Sequence, residues 1–235
     1  MPGKLYLIPT VLNENALHVI PAYVHEITKS INHFFVENER TTRRYLRTSG
    51  FTKSFDEVFL YPLNEHTTDE IISTYVKYIM LASHDWGLMS EAGVPAVADP
   101  GHLLVQKAHS NNIQVIPLCG PSSIILALMA SGLNGQQFSF HGYLPVRQPE
   151  RNKKIRQLEQ KAVSGETQIF IETPYRNNAV ISDVLQTCSP ATAFCIATNL
   201  TGPDESVKTK SIAEWRKQKP EPGKIPAIFL IGKFA

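Results

Sequence analysis

Two stretches hold most of the residues that could do chemistry. Residues 88–101 read LMSEAGVPAVADPG, and residues 119–123 read CGPSS. In the first, Glu91 sits beside Gly93, where ligand could come close to backbone, and Pro95 and Pro100 would stiffen the loop and lower the ordering cost of binding. In the second, small hydroxyl residues at a helix start could hold a ligand's polar atoms or cap the helix. The segment ERTTRRYLR places Arg40, Arg43, Arg44 and Arg47 on one helical face, a stripe suited to phosphates or carboxylates and equally to solvent. Glu37 ends an otherwise apolar strand. Glu65-His66 follows another strand, and His66 has only that position in its favour. A looser basic row, Arg147, Arg151 and Lys154, reads as surface.

These residues must be positioned by alternating strands and helices. Strands are expected at 4–10, 33–37, 58–63, 86–90 and 113–119. Helices fall between them at 15–31 (restarting at Pro21), 39–47, 67–80 and 102–111. Thr67-Thr68-Asp69-Glu70 carries a capping-box pattern. An apolar helix at 124–130 and the connector SGLNGQQ lead to a second series. It has strands at 138–144, 167–172 and 191–198, an edge strand SVKTK and a last strand IPAIFLIGK. Its helices are expected at 149–163 and 176–188, with the short IAEWRKQ. The pattern predicts two α/β domains, 1–119 and 120–235, mainly parallel in the first and mixed in the second. Ligands of open parallel sheets sit beyond the carboxyl ends of strands. There the loops after the fourth and fifth strands would line one edge. Each alone is also an ordinary connection, so spacing leaves both readings open.

Composition excludes several classes. The 235 residues are 43% hydrophobic and 19% charged, as expected of a chain with a real core. No apolar run approaches the ~20 residues of a membrane helix, and MPGKLYLIPT makes a poor signal peptide, so a cytoplasmic protein without membrane association is expected. Three scattered cysteines and no zinc spacing argue against a disulfide framework or a metal site. A net charge of +2 does not by itself announce nucleic-acid binding. No G-x-G-x-x-G, P-loop or G-x-S-x-G occurs.

The ordered set LYLIPT, VENERTTRRYL, LMSEAGVPAVADPG, IPLCGPSS, SGLNGQQFSFHGYLP and IETPYR resembles the tetrapyrrole methylase superfamily, whose enzymes use S-adenosylmethionine. It is most similar to the branch that methylates a cytidine ribose 2′-hydroxyl in small-subunit ribosomal RNA. The match runs from Leu5 to about Arg176 and then thins. The resemblance implies two α/β/α domains with the cofactor in a cleft between them, and a homodimer. It implies cofactor contacts from Leu88, Ser90, Glu91, Ala92, Gly93 and Val94, and from Ser122 and Ser123. In the second domain it implies Leu144, the turn Asn199, Leu200 and Thr201, and Pro226, Ala227 and Ile228. Glu37, Arg40, Thr42 and Arg43 match a segment whose side chains meet the substrate.

Several motifs depart from the family. Its PTPIGNL is PTVLNEN here, SDAG is SEAG, and E-D-T-R is Glu37-Asn38-Glu39-Arg40. A ribose hydroxyl needs a base to take its proton, and Glu37 or His66 would serve, Glu37 being favoured. The implied partner is ribosomal RNA or the small ribosomal subunit. Methylation of a tetrapyrrole, or a catalytically silent cofactor- or RNA-binding relative, are the alternatives.

Overall fold

The computed structural model describes residues 3–234. The chain divides into two units, Met1–Ser122 and Ser123–Ala235. The first alternates β1 (Leu5–Leu7), α1 (Ala22–Ser30), β2 (His33–Val36), α2 (Glu39–Thr48), β3 (Phe59–Pro62), α3 (Asp69–Leu81), β4 (Trp86–Met89), α4 (Gly101–Ser110) and β5 (Val115–Pro117). Its strands form one sheet in the order β3-β2-β4-β1-β5. Every pairing is parallel, with Leu5 opposite Trp86 and His33 opposite the other side of Trp86.

Helices cover both faces of such a sheet, so neighbouring residues of one strand enter opposite cores. Phe35, Trp86 and Leu88 pack with Ile72, Ile79 and Leu104 of α3 and α4. Phe34, Val36 and Met89 pack with Val24 and Leu46 of α1 and α2. Two helix starts are fixed by side chains. Asn38 accepts from the backbone N–H of Arg40 and Thr41, and Thr68 accepts from that of Ile71. The restart expected at Pro21 within 15–31 is present: a 3-10 turn at Leu17–Val19 precedes α1, with Pro21 at its N-cap. Proline there would clash with the preceding turn of a continuous helix, so the chain restarts.

The second unit runs α5 (Ser123–Ser131), β6 (Phe138–Tyr143), α6 (Gln148–Val163), β7 (Thr167–Glu172), α7 (Asn177–Thr187), β8 (Ala193–Thr198), β9 (Ser206–Ser211), α8 (Ile212–Lys217) and β10 (Ala227–Gly232). The sheet order is β6-β7-β10-β8-β9. β6 and β7 are parallel, and the other pairs are antiparallel. The last strand of the chain is thus the centre of the sheet, and all six of its residues are buried. Phe229 stacks on Phe170 with ring centroids 5.5 Å apart.

One expectation fails in this unit. Arg151 is not surface: it is 6% exposed. Its guanidinium grips Asp183 of α7 at 2.5 and 2.6 Å and donates to the carbonyl of Val146 at 2.6 Å. The charge is buried because its partner, thirty-two residues on, is buried with it. Among the described residues no helix is long and apolar enough to cross a membrane.

Candidate functional site

The sheet order of the first unit makes β4 its central strand, between β2 and β1. Whatever follows β4 therefore lies among the loops that follow its neighbours. Residues 90–100 do follow it; the loops after β1 and β2 hold them, and the loop after β5 lies against them. From the loop after β1, the backbone N–H of Thr10 donates to the carbonyl of Gly93 at 2.9 Å, and its hydroxyl donates to that of Ser90 at 3.4 Å. From the loop after β2, Glu37 Oε2 accepts the N–H of Glu91 at 3.0 Å. From the loop after β5, the carbonyl of Pro121 lies where a side chain on Gly93 would start, 3.1 Å from an ideal Cβ. Gly93 has φ +75°, so both its conformation and its surroundings call for glycine.

The rest of the loop is strained. Ala96 and Ala98 have φ of 64° and 61°, which costs roughly 1–2 kcal/mol for each non-glycine residue. Asp99 offsets this. Its carboxylate accepts the N–H groups of Ala96 and Gly101 at 2.9 and 2.7 Å. Burial pushes the Asp99 carboxyl above the usual range against the pull of those N–H groups, and the charge of Glu37 adds to the rise. Glu91 and Ala92 remain exposed, so the loop presents backbone outward from a fixed frame.

Beside this frame lies a cavity of about 330 Å³ lined by Thr10, Asn15, Thr41, Arg44, Tyr45 and Glu91. Tyr45 is buried and donates to the carbonyl of Pro9 at 3.1 Å, and burial raises its phenol well above the ordinary range. Arg44 pairs with Glu14 at 2.6 Å at the cavity wall. The arginine stripe is thereby split. Arg43 and Arg47 lie over the Phe55 ring, 4.9 and 4.2 Å from its centroid, and Arg43 also reaches Glu39 at 3.4 Å. Arg40 is exposed, while Thr42 is buried in the helix interface at 4%.

His66 follows β3, the edge strand, with β2 between it and β4. Its ring is exposed, and Glu65 at 3.6 Å is its ion-pair neighbour. Glu37, not His66, is brought to the loop after β4. Spacing alone did not single out Thr10, Asp99 or Tyr45. For Asp99 a signal existed, since Asp-Pro-Gly is a turn signature in which Asp accepts from nearby backbone.

In the second unit, Leu144 is buried in the core, so only its backbone could meet a ligand. Asn199 and Thr201 adopt positive φ of 48° and 66° in the turn after β8. The N–H of Asn199 donates to the carbonyl of Pro226 at 3.0 Å, joining that turn to the start of β10. Ala227 lies level with Glu172 on one side and Thr198 on the other. Near this sheet end Thr201 Oγ1, Glu172 Oε2 and Asn177 Oδ1 are buried without a hydrogen-bond partner. Buried polar atoms are normally satisfied, so these orphans suit a polar ligand. Ser122 and Ser123 precede and open α5.

No family model matches the chain. It is 30% identical over 210 residues to ribosomal RNA small subunit methyltransferase I of Vibrio cholerae, covering 89% of this chain and 69% of that one. The protein of that name from Xylella fastidiosa is 30% identical over 217 residues, covering 92% and 76%. Among solved structures, the methyltransferase CobJ aligns with a TM-score of 0.65 at 13% identity, over 99% of this chain and 95% of its own. Uroporphyrin-III C-methyltransferase of Thermus thermophilus, solved with S-adenosylhomocysteine, aligns with a TM-score of 0.58 at 14% identity, over 98% and 97%. Those two likenesses establish the fold, two α/β domains of the tetrapyrrole methylase kind. At 30% identity across most of both chains, the sequence relatives go further: this chain belongs to the ribosomal RNA small subunit methyltransferase I family.

Proposed function

We propose that this protein transfers a methyl group from S-adenosylmethionine to a ribose 2′-hydroxyl of small-subunit ribosomal RNA. The observation that supports this most is the loop after β4, held by Thr10 and Glu37 and open at Glu91 and Ala92, in a chain 30% identical to ribosomal RNA small subunit methyltransferases I. When bound, S-adenosylmethionine supplies an electrophilic sulfonium methyl to the attacking oxygen. The chain's residues bind and orient. Leu88, Ser90, Glu91, Ala92, Gly93, Val94, Ser122 and Ser123 would hold the cofactor. Leu144, Asn199, Leu200, Thr201, Pro226, Ala227 and Ile228 are its further proposed contacts.

Glu37 has one oxygen on the Glu91 N–H. Its other oxygen would take the hydroxyl proton, leaving a neutral carboxyl. His66 is the weaker candidate, being tied to an edge strand. Arg40 and Arg43 would meet phosphates next to the target, with Thr42 between them on the same helix. Homodimerisation and a cytoplasmic location belong to the same reading, and light scattering in solution tests the first.

The test is transfer of labelled methyl from S-adenosylmethionine to small ribosomal subunits, run beside a porphyrinogen. Label in the ribosomal RNA supports the reading. Label in the porphyrinogen alone moves the protein to the tetrapyrrole enzymes. Transfer to neither, with S-adenosylhomocysteine still bound in calorimetry, makes it a silent relative.

A further inference from the structure

A second basic site lies in the other unit. The stretch from Ser206 to Lys224 contains six basic and two acidic residues, a net of +4 where the whole chain carries +2. The fold gathers part of it around a cavity of about 270 Å³ against the edge of the sheet. Lys208 and Lys210 alternate along β9 and face the same side, ~6.6 Å apart along the strand. They stand over Ile196 and Thr198 of β8, which form the floor. Lys219, from the segment after α8, also lines it, its ammonium 3.5 Å from Ser182 Oγ.

The Lys210 ammonium lies 4.8 Å from the centroid of the Trp215 ring, which holds its stem upright. Trp215 is itself fixed by its indole N–H, which donates to the carbonyl of Phe194 at 2.8 Å. Among the described residues no carboxylate lies within ion-pair distance of Lys208, Lys210 or Lys219. Glu221 lines the same cavity, and Glu214 is engaged in the Ser211 cap.

Lysines on an edge strand also guard against strand addition. A guard needs charge along β9 and nothing more. It does not need a third ammonium brought in from beyond α8, nor an indole holding one lysine in place.

We propose that this groove is an anchoring site for the phosphodiester backbone of the RNA substrate, separate from the loop after β4. Three ammonium groups around one cavity fit a chain of singly charged phosphates, which they would meet without reading bases. The proposal rests on RNA being the substrate, and its test is separable from the test of that reading.

The variant is Lys208→Glu with Lys210→Glu, which keeps the strand edge charged and so preserves any guard while repelling phosphate. Binding of a labelled single-stranded RNA from 50 to 200 mM salt is followed by anisotropy. Loss of two contacts lowers the slope of log affinity against log salt by about 1.4, at roughly 0.7 per phosphate, and weakens low-salt binding on the order of tenfold. S-adenosylhomocysteine affinity and the melting temperature stay unchanged, while KM for RNA rises and kcat holds. Lys219→Gln gives a smaller change of the same kind.

An unchanged slope in the double variant overturns the proposal, whether or not the wild type methylates ribosomal RNA. So does failure of the wild type to bind RNA at 50 mM salt. Tighter capture of a polyglutamate peptide than of RNA, lost in the same variant, also overturns it and assigns the groove to an acidic protein partner. Failure of methyl transfer with the slope change intact refutes only the activity.

Discussion

Replacing Glu37 separates two roles that one carboxylate would fill. One oxygen holds the Glu91 N–H at 3.0 Å, and the other would receive a proton. Glu37→Gln keeps an acceptor for the N–H but is no base. Glu37→Ala loses both. A charge-assisted hydrogen bond contributes about 1.5–3 kcal/mol when buried, and Glu37 is half-buried, so the lower end applies. At about 1.4 kcal/mol per factor of ten, Glu37→Ala should bind S-adenosylhomocysteine roughly tenfold more weakly. In Glu37→Gln a neutral bond of about 0.5–1.5 kcal/mol survives, so affinity should fall by less than roughly fivefold. Both variants should lose about 10²- to 10⁴-fold in the single-turnover rate of methyl transfer, the usual contribution of a general base. Calorimetry reads the first effect, and rapid-quench assay on small ribosomal subunits reads the second. If Glu37→Gln transfers methyl within a few-fold of wild type, the base is another group. If Glu37→Ala binds the product cofactor normally, the loop is held without it.

Three further outcomes are expected. Gly93→Ala must place a Cβ 3.1 Å from the Pro121 carbonyl at φ +75°, so it should lose about 1–2 kcal/mol, read as roughly five- to thirtyfold weaker S-adenosylhomocysteine binding or as a lower melting temperature. If neither moves, the loop is softer than its contacts imply. Arg151→Ala leaves the Asp183 charge buried with only the Gln148 amide donating to it and should destabilise the second unit by about 3 kcal/mol in denaturant titration. A loss under about 1 kcal/mol would mean that water reaches the pair. His33 stacks between His84 and Phe59 at 4.1 and 4.7 Å, and burial, then the nearby His84, lower its pKa. The unfolded chain therefore takes up a proton that the folded chain resists, and this part of the stability, present above the ordinary histidine pKa, is lost as pH falls through the lowered one. The melting temperature should drop between pH 7.5 and 5.5, and by less in His33→Phe. An equal drop in both assigns the effect elsewhere.

The strands and helices were legible because local signals mark them: apolar runs, the caps at Asn38 and Thr68, and Pro21 at a helix start. So was the contrast between a parallel and a mixed sheet, since alternation with helices predicts the first. Long-range partners were not legible. The four arginines of α2 share one helical face by spacing, yet Phe55 takes two of them and Glu14 a third. Arg151 read as surface because nothing local shows that Asp183 will meet it. The hold of Glu37 on Glu91 spans fifty-four residues, and no periodicity reports it. The placement of β10 at the centre of its sheet is equally invisible in a terminal apolar run.

The order β3-β2-β4-β1-β5 bears on how the chain is made. β1 leaves the ribosome before the other strands of its sheet, yet among the described residues it pairs with β4 and β5. β2 and β3 can pair early, while β1 waits until residues beyond Trp86 and then Val115 have emerged. Pairings so distant in sequence form slowly, and an unpaired apolar strand is prone to aggregate meanwhile. Expression at lower temperature or with chaperones should therefore raise the yield of folded protein more than any change to the exposed surface.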